Sequence, residues 1–148
     1  MGPGVDAFLA EAIPRLDEVE MALHNGDAGP RFEMWSHNDP VTLFGAAFSG
    51  SGWAQVGPIF EQLGATFSNC TSYQNEIVAA GASGDLAYIV ALEHTTASIK
   101  GAPPQPYVLR VTTVFRREAG EWKVVHRHGD PIASSAAEEL VHKLVKER

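Results

Sequence analysis

The chain has very little cysteine: Cys70 is the only one in 148 residues. An internal disulfide and a multi-cysteine zinc site are therefore excluded, and a reducing compartment is allowed. Positive charge is also scarce. Eleven Lys and Arg face eighteen Asp and Glu, for a formal charge of −7, which opposes binding to nucleic acid or to an anionic membrane. Arg116, Arg117, Lys123 and Arg127 do gather, but Glu118 and Glu121 sit among them on what reads as one hairpin. That cluster reads as a solvated or dimer-facing sheet surface. No apolar run approaches the ~20 residues of a membrane span, and the first residues lack the basic region and apolar stretch of a secretory signal. Nor does an internal repeat or a linker divide the chain. The expectation is one cytoplasmic domain without nucleic-acid or membrane partners.

Apolar residues make up 45% and charged residues 20%, enough for a real core at this length. Residues 5 to 24 place Val5, Phe8, Leu9, Ala12, Ile13, Leu16, Val19 and Leu23 at helical spacing, with Pro14 expected to kink the helix or start a second segment. Asn25, Gly26 and Asp27 stop it. Pro30 opens a short helix through Phe32 and Trp35, and a short strand follows at 41 to 44. Residues 48 to 53 read as a flexible connection, and 53 to 67 as a third helix.

From about residue 70 the period becomes extended. Strands are expected near 71–80, 85–98, 107–117 and 121–130, with turns at Gly81–Gly84 and, as a three-residue hairpin, at Glu118–Gly120. A helical tail is expected over 134–148, the domain core spanning about 5–132. Helices first and long antiparallel strands afterwards mean an α+β fold, not a parallel nucleotide-binding one.

Three segments carry a family likeness: Met34 to Gly45, Gly84 to Tyr88, and Leu109 to Thr112 continued by Phe115 to His128. They resemble the nuclear transport factor 2-like superfamily, and within it the SnoaL-like and ketosteroid isomerase-like proteins. The resemblance implies a cone: a curved antiparallel sheet whose concave face and N-terminal helices enclose a pocket for a small hydrophobic molecule. It also implies a homodimer formed through the sheet. Isomerases, cyclases, dehydratases, epoxide hydrolases and non-catalytic assembly domains share this fold, so the likeness does not choose among them. The catalytic aspartate of ketosteroid isomerase falls here about Phe44, which cannot move a proton. The Asp–Arg–Asp arrangement of limonene epoxide hydrolase is not visible. SnoaL's final-strand aspartate is matched only in part, by Asp130 with His128 before it.

Chemistry-bearing residues concentrate on that last strand. His126 and His128 alternate, so both side chains share a face about 7 Å apart. If that face is concave, the pair can act as acid and base near neutral pH, with Asp130 or His126 orienting His128. Alternatively they brace the strand end. With a three-residue turn the same face carries Trp122, Val124, Thr112 and Arg110, and Arg110 could hold an anionic group; a two-residue turn would swap Arg110 and Thr112 to the other side. Glu93 and His94 are adjacent and so lie on opposite faces, one toward the pocket and one toward the dimer or solvent. His37 and Trp35 stand near the expected cavity mouth, where Asp39 caps a turn. Tyr88, Tyr107 and Trp53 either line the pocket or belong to plain core. His126, His128 and a carboxylate have the composition of a metal site, but the resemblance argues against one; no metal and no cofactor are expected. Cys70 reads as a small buried thiol.

The leading expectation is thus a cofactor-independent acid–base enzyme of isomerase, cyclase or dehydratase type, with His128, His126 and Asp130 as its catalytic group. Its substrate is a hydrophobic carbonyl-containing metabolite, contacted by His37, Trp35, Tyr88, His94, Glu93, Arg110 and Trp53. The rivals are a non-catalytic ligand-binding or dimerisation module and a metal-dependent enzyme using the final-strand histidines.

Overall fold

In the computed structural model, which describes residues 2–132 and 143–145, the chain runs through three helices and six strands. They are α1 (Pro3–Leu23), α2 (Gly29–Met34), β1 (Thr42–Phe44), β2 (Ser49–Ser51), α3 (Trp53–Thr66), β3 (Phe67–Ser83), β4 (Leu86–Ile99), β5 (Gln105–Glu118) and β6 (Glu121–Pro131). The tail expected over 134–148 lies outside the described residues except for the helical turn 143–145.

One sheet has the order β2-β1-β6-β5-β4-β3. Its neighbours are antiparallel except β1, which runs parallel to β6. The sheet curls without closing, and the helices fill its concave side. The α+β cone expected from the sequence is the fold observed.

Helix α1 supplies one wall because its apolar residues recur every three or four positions. Phe8, Ala12, Leu16, Val19 and Leu23 are all buried. Phe8 meets Phe115 and Trp122 edge-on at 5.0 and 5.2 Å, which sets the narrow end of the cone. Pro14 neither splits the helix nor starts another; α1 is continuous and Pro14 lies on its exposed side. Gly26 ends it at φ +94°, a conformation that favours glycine.

Four local expectations change. Residues 49–51 form strand β2, not a flexible connection, because Ser49, Gly50 and Ser51 pair with Phe44, Leu43 and Thr42. The β3–β4 turn is Gly84–Asp85, as Ser83 pairs with Leu86. The β5–β6 turn has two residues, Ala119 and Gly120, both with positive φ, the pattern whose twist suits a hairpin.

The fourth change decides the site. Register runs Phe115↔Val124 and then Val114↔His126, so Val125 is an extra residue, a β-bulge. A two-residue turn with strict alternation would have put Trp122, Val124, His126 and His128 together on the inner face. The bulge flips everything beyond it. Trp122 and Val124 stay in the core, His126, His128 and Asp130 turn outward, and Arg127 turns in.

Candidate functional site

The inner faces of β4 and β6 are apolar at the narrow end and polar toward the wide one. On β4, Ala87, Ile89 and Ala91 give way to Glu93 and Thr95; on β5, Thr113 lies between Phe115 and Val111 and is paired with Arg127 of β6, all buried. Opposite them the α1 stripe continues from Leu16 at i+4 spacing to Glu20 and His24, also buried. Arg31 of α2 completes the cluster.

Buried charge is tolerated only when paired, and here the pairing is dense. Arg127 donates from its two Nη atoms to the two carboxylate oxygens of Glu93, at 2.8 and 2.9 Å. Its Nη1 also lies 3.2 Å from Glu20, and Arg31 Nη2 donates to both Glu20 oxygens. Two cations thus match two carboxylates across α1, α2, β4 and β6. Burial alone would raise the Glu20 pKa, but Arg31 and Arg127, with His24, overcome it and hold it at about 2. Burial disfavours the Arg127 charge, yet Glu93 and Glu20 outweigh this and raise its pKa.

At the wide end His24 Nδ1 donates to the Glu20 carbonyl oxygen at 2.7 Å, and His24 Nε2 is hydrogen-bonded to the Tyr107 hydroxyl. Burial lowers the imidazole pKa and so favours its neutral form, with Arg31 and Arg127 adding to the effect. Phe67 stacks on Tyr107 at 6.3 Å and touches His24 at 4.4 Å. These three rings cap the charged network.

Beside it stands Tyr73 of β3. Its hydroxyl is buried and has no hydrogen-bond partner among the described residues, a condition shared by Asn75 Oδ1 on the same strand face. Burial raises the Tyr73 pKa strongly, and Glu93, Glu20 and Asp17 raise it further. Asp17, one turn before Glu20 and on the exposed side of α1, has its pKa raised by partial burial and by Glu93. The packed interior leaves a cavity of about 10 Å³ against Glu20, Arg31, Trp35, Thr113 and Arg127, room for about one water.

Of the residues expected to form the site, Glu93 is inside the cone. Trp35 is core, edge-on to Phe60 at 5.0 Å. His126, His128 and Asp130 are on the outer face and do not meet the interior. His126 Nδ1 is hydrogen-bonded to the Thr42 hydroxyl at 2.7 Å, and both imidazoles flank Phe44 at 5.7 Å. Burial lowers the His126 pKa and His128 adds to this. Asp130 accepts from Arg110 Nε at 3.2 Å in a solvent-exposed pair, so Arg110 is not free to hold an anion in the cone. His94 is outside too, donating to Glu76 at 2.9 Å. Tyr88 lies outside over Gly81, where an added Cβ would stand 2.5 Å from the ring. Among the described residues no group of three or more His, Cys, Asp or Glu is placed to hold a metal ion.

His37 stacks on Trp53 at 3.9 Å, and Asp39 accepts from the Trp53 amide at 2.8 Å where α3 begins. With Trp35, Arg15, Glu33 and Lys123, His37 lines an external groove of about 550 Å³. Cys70 is half-exposed rather than buried, 3.6 Å from Met21 Sδ. The basic hairpin reading fails for Arg127 alone, which the bulge carries inside.

Sequence reasoning missed Glu20, His24, Arg31 and Tyr73. For Glu20 and His24 a signal existed: they continue the Phe8, Ala12, Leu16 stripe at i+4, and a charge on a buried stripe requires a partner. For Arg127 the signal was Val124–Val125, two adjacent apolar residues that break strand alternation. Arg31 and Tyr73 carried none.

Helices seated in a curled, open sheet around a polar interior define the cone-shaped NTF2-like class. Within that class, the profile of the SnoaL-like domain matches residues 15–134, and the chain belongs to that family. Solved structures agree on the fold. A candidate dehydratase of the NTF2-like family from Streptomyces avermitilis is 20% identical, with a TM-score of 0.68 over 87% of this chain and 99% of that one. An NTF2-like protein of unknown function from Pseudomonas putida is 19% identical, with a TM-score of 0.68 over 89% and 92%. A candidate calcium/calmodulin-dependent protein kinase II association domain from Thiobacillus denitrificans is 18% identical, with a TM-score of 0.65 over 83% and 96%. At these identities the likeness is one of fold. No curated protein matches the chain.

Proposed function

We propose that the chain is a small-molecule pocket enzyme of isomerase, cyclase or dehydratase type, working at the wide end of the cone on a hydrophobic carbonyl-containing metabolite. The observation that carries this reading is the Tyr73 hydroxyl, buried and without a partner among the described residues, beside a paired charged network. A buried donor without an acceptor costs about 1–3 kcal/mol, and a substrate carbonyl would relieve it. Because its pKa is raised, the phenol stays protonated and can donate to an enolate oxygen as charge develops there. Asp17, exposed on α1 one turn before Glu20 and with its pKa raised, is the base that takes the proton from the adjacent carbon and returns it. The substrate reaches the site by displacing the Phe67–Tyr107–His24 cap, since the packed cavity holds about one water.

The test is deuterium uptake at the α-carbon of neutral ketones and β-hydroxy ketones in D2O, followed by proton NMR. Wild type should exceed the buffer rate. Tyr73→Phe and Asp17→Asn should each fall at least ~100-fold, the low end of acid–base contributions, with unchanged circular dichroism. Binding of these ketones without exchange would instead support the non-catalytic ligand-binding module.

The same reading includes a cytoplasmic homodimer formed through the outer sheet face, which exposes Phe44, Leu86 and Tyr88. Among the described residues no helix is long and apolar enough to cross a membrane.

A further inference from the structure

Resting on the proposed pocket, the geometry points to the charge class of its ligand: the cone takes an uncharged molecule and rejects anions, and Glu93 is the residue that sets this. An arginine deep in a pocket normally invites a carboxylate or phosphate. Here Arg127 is turned inward, but both its Nη atoms are held by Glu93 and one also approaches Glu20. Arg31 is held by Glu20 through one nitrogen, Nη2, which donates to both carboxylate oxygens. The two cations are cancelled by the two carboxylates before any ligand arrives.

An incoming anion would meet no uncompensated positive charge and would lose its hydration, a loss repaid only by a charge partner. A neutral carbonyl loses far less. It gains the Tyr73 hydroxyl as donor, and Asn75 Oδ1, two residues along the same strand face, can accept from a hydroxyl or amide N–H on the same molecule. The preferred ligand therefore carries a neutral acceptor together with a neutral donor.

Benzamide and benzoate test this, being close in shape and differing in charge at pH 7.5. Their affinities for the intact wild-type chain are measured by isothermal titration calorimetry, with Tyr73→Phe reporting whether binding is in the cone. Benzamide should bind at least ten times more tightly than benzoate and lose about two- to tenfold in Tyr73→Phe, the range of one hydrogen bond. Glu93→Gln unmasks Arg127 and should reverse the preference, bringing benzoate binding at least tenfold above its wild-type level in protein whose circular dichroism is unchanged. Benzoate binding as tightly as benzamide to wild type, with both weakened by Tyr73→Phe, would overturn the charge inference while leaving the pocket intact. Failure of both probes to bind would remove the pocket reading and this inference with it. Should Glu93→Gln not fold, the wild-type comparison decides alone.

Discussion

Replacing Arg127 by Met removes the cation that joins β6 to β4 and α1. Arg127 makes contacts of 2.8 and 2.9 Å with Glu93 and 3.2 Å with Glu20. Glu20 would keep Arg31, whereas Glu93, only 3% exposed, would be left as a buried carboxylate without a cation. Breaking a buried ion pair from one side costs about 3–5 kcal/mol. At ~2–4 °C per kcal/mol for a chain near this size, Tm should fall by roughly 6–20 °C. Removing the other charge as well, in Arg127→Met with Glu93→Leu, exchanges the pair for apolar groups of similar volume and should recover most of the loss. Urea unfolding followed by tryptophan fluorescence, at one fixed protein concentration, yields the double-mutant cycle. The reasoning is refuted if Arg127→Met costs less than about 1 kcal/mol, or if the double variant is no more stable than the single one.

Acid should destabilise the protein in two windows. The His24 pKa is lowered below its usual 6.5, so its contribution is whole above pH 6.5 and is lost as pH falls below that value. Glu20 is held at about 2 against an ordinary 4.5, so its contribution is whole above pH 4.5 and is lost toward pH 2. Urea midpoints from pH 8 to 3 should show both declines, and His24→Gln should abolish only the first. On the outer face, His128→Ala should leave ketone exchange within about twofold of wild type, since the side chain does not reach the cone; a large loss would return catalysis to the last strand. Asp130→Asn, breaking the exposed pair with Arg110, should change stability by less than about 1 kcal/mol. Leu86→Glu should shift a sheet-paired dimer toward monomer in sedimentation velocity, and an unchanged profile would count against that interface.

The order of elements was legible because each rests on local periodicity. The α1 stripe, the four long alternating strands and the turn glycines are near-neighbour properties of the chain, and they determined the α+β cone. Lone residues such as Glu93 and His94 could be assigned to opposite faces for the same reason. Which face is inside is not a local property. One extra residue, Val125, reverses the sense of everything after it, so His126 and His128 lost the interior to Arg127. Likewise, nothing near Arg31 or Tyr73 in sequence announces a buried ion pair or an orphaned hydroxyl. Those arise only when α2 is laid over the sheet and β3 curls beneath α1, because a buried charge is defined by partners that arrive from elsewhere in the chain. The sequence by itself determined the cone and the chemistry available to fill it. Tertiary structure alone decided which charges meet inside, since pairing and desolvation act across elements that lie far apart in the chain, as Glu20 and Arg127 do.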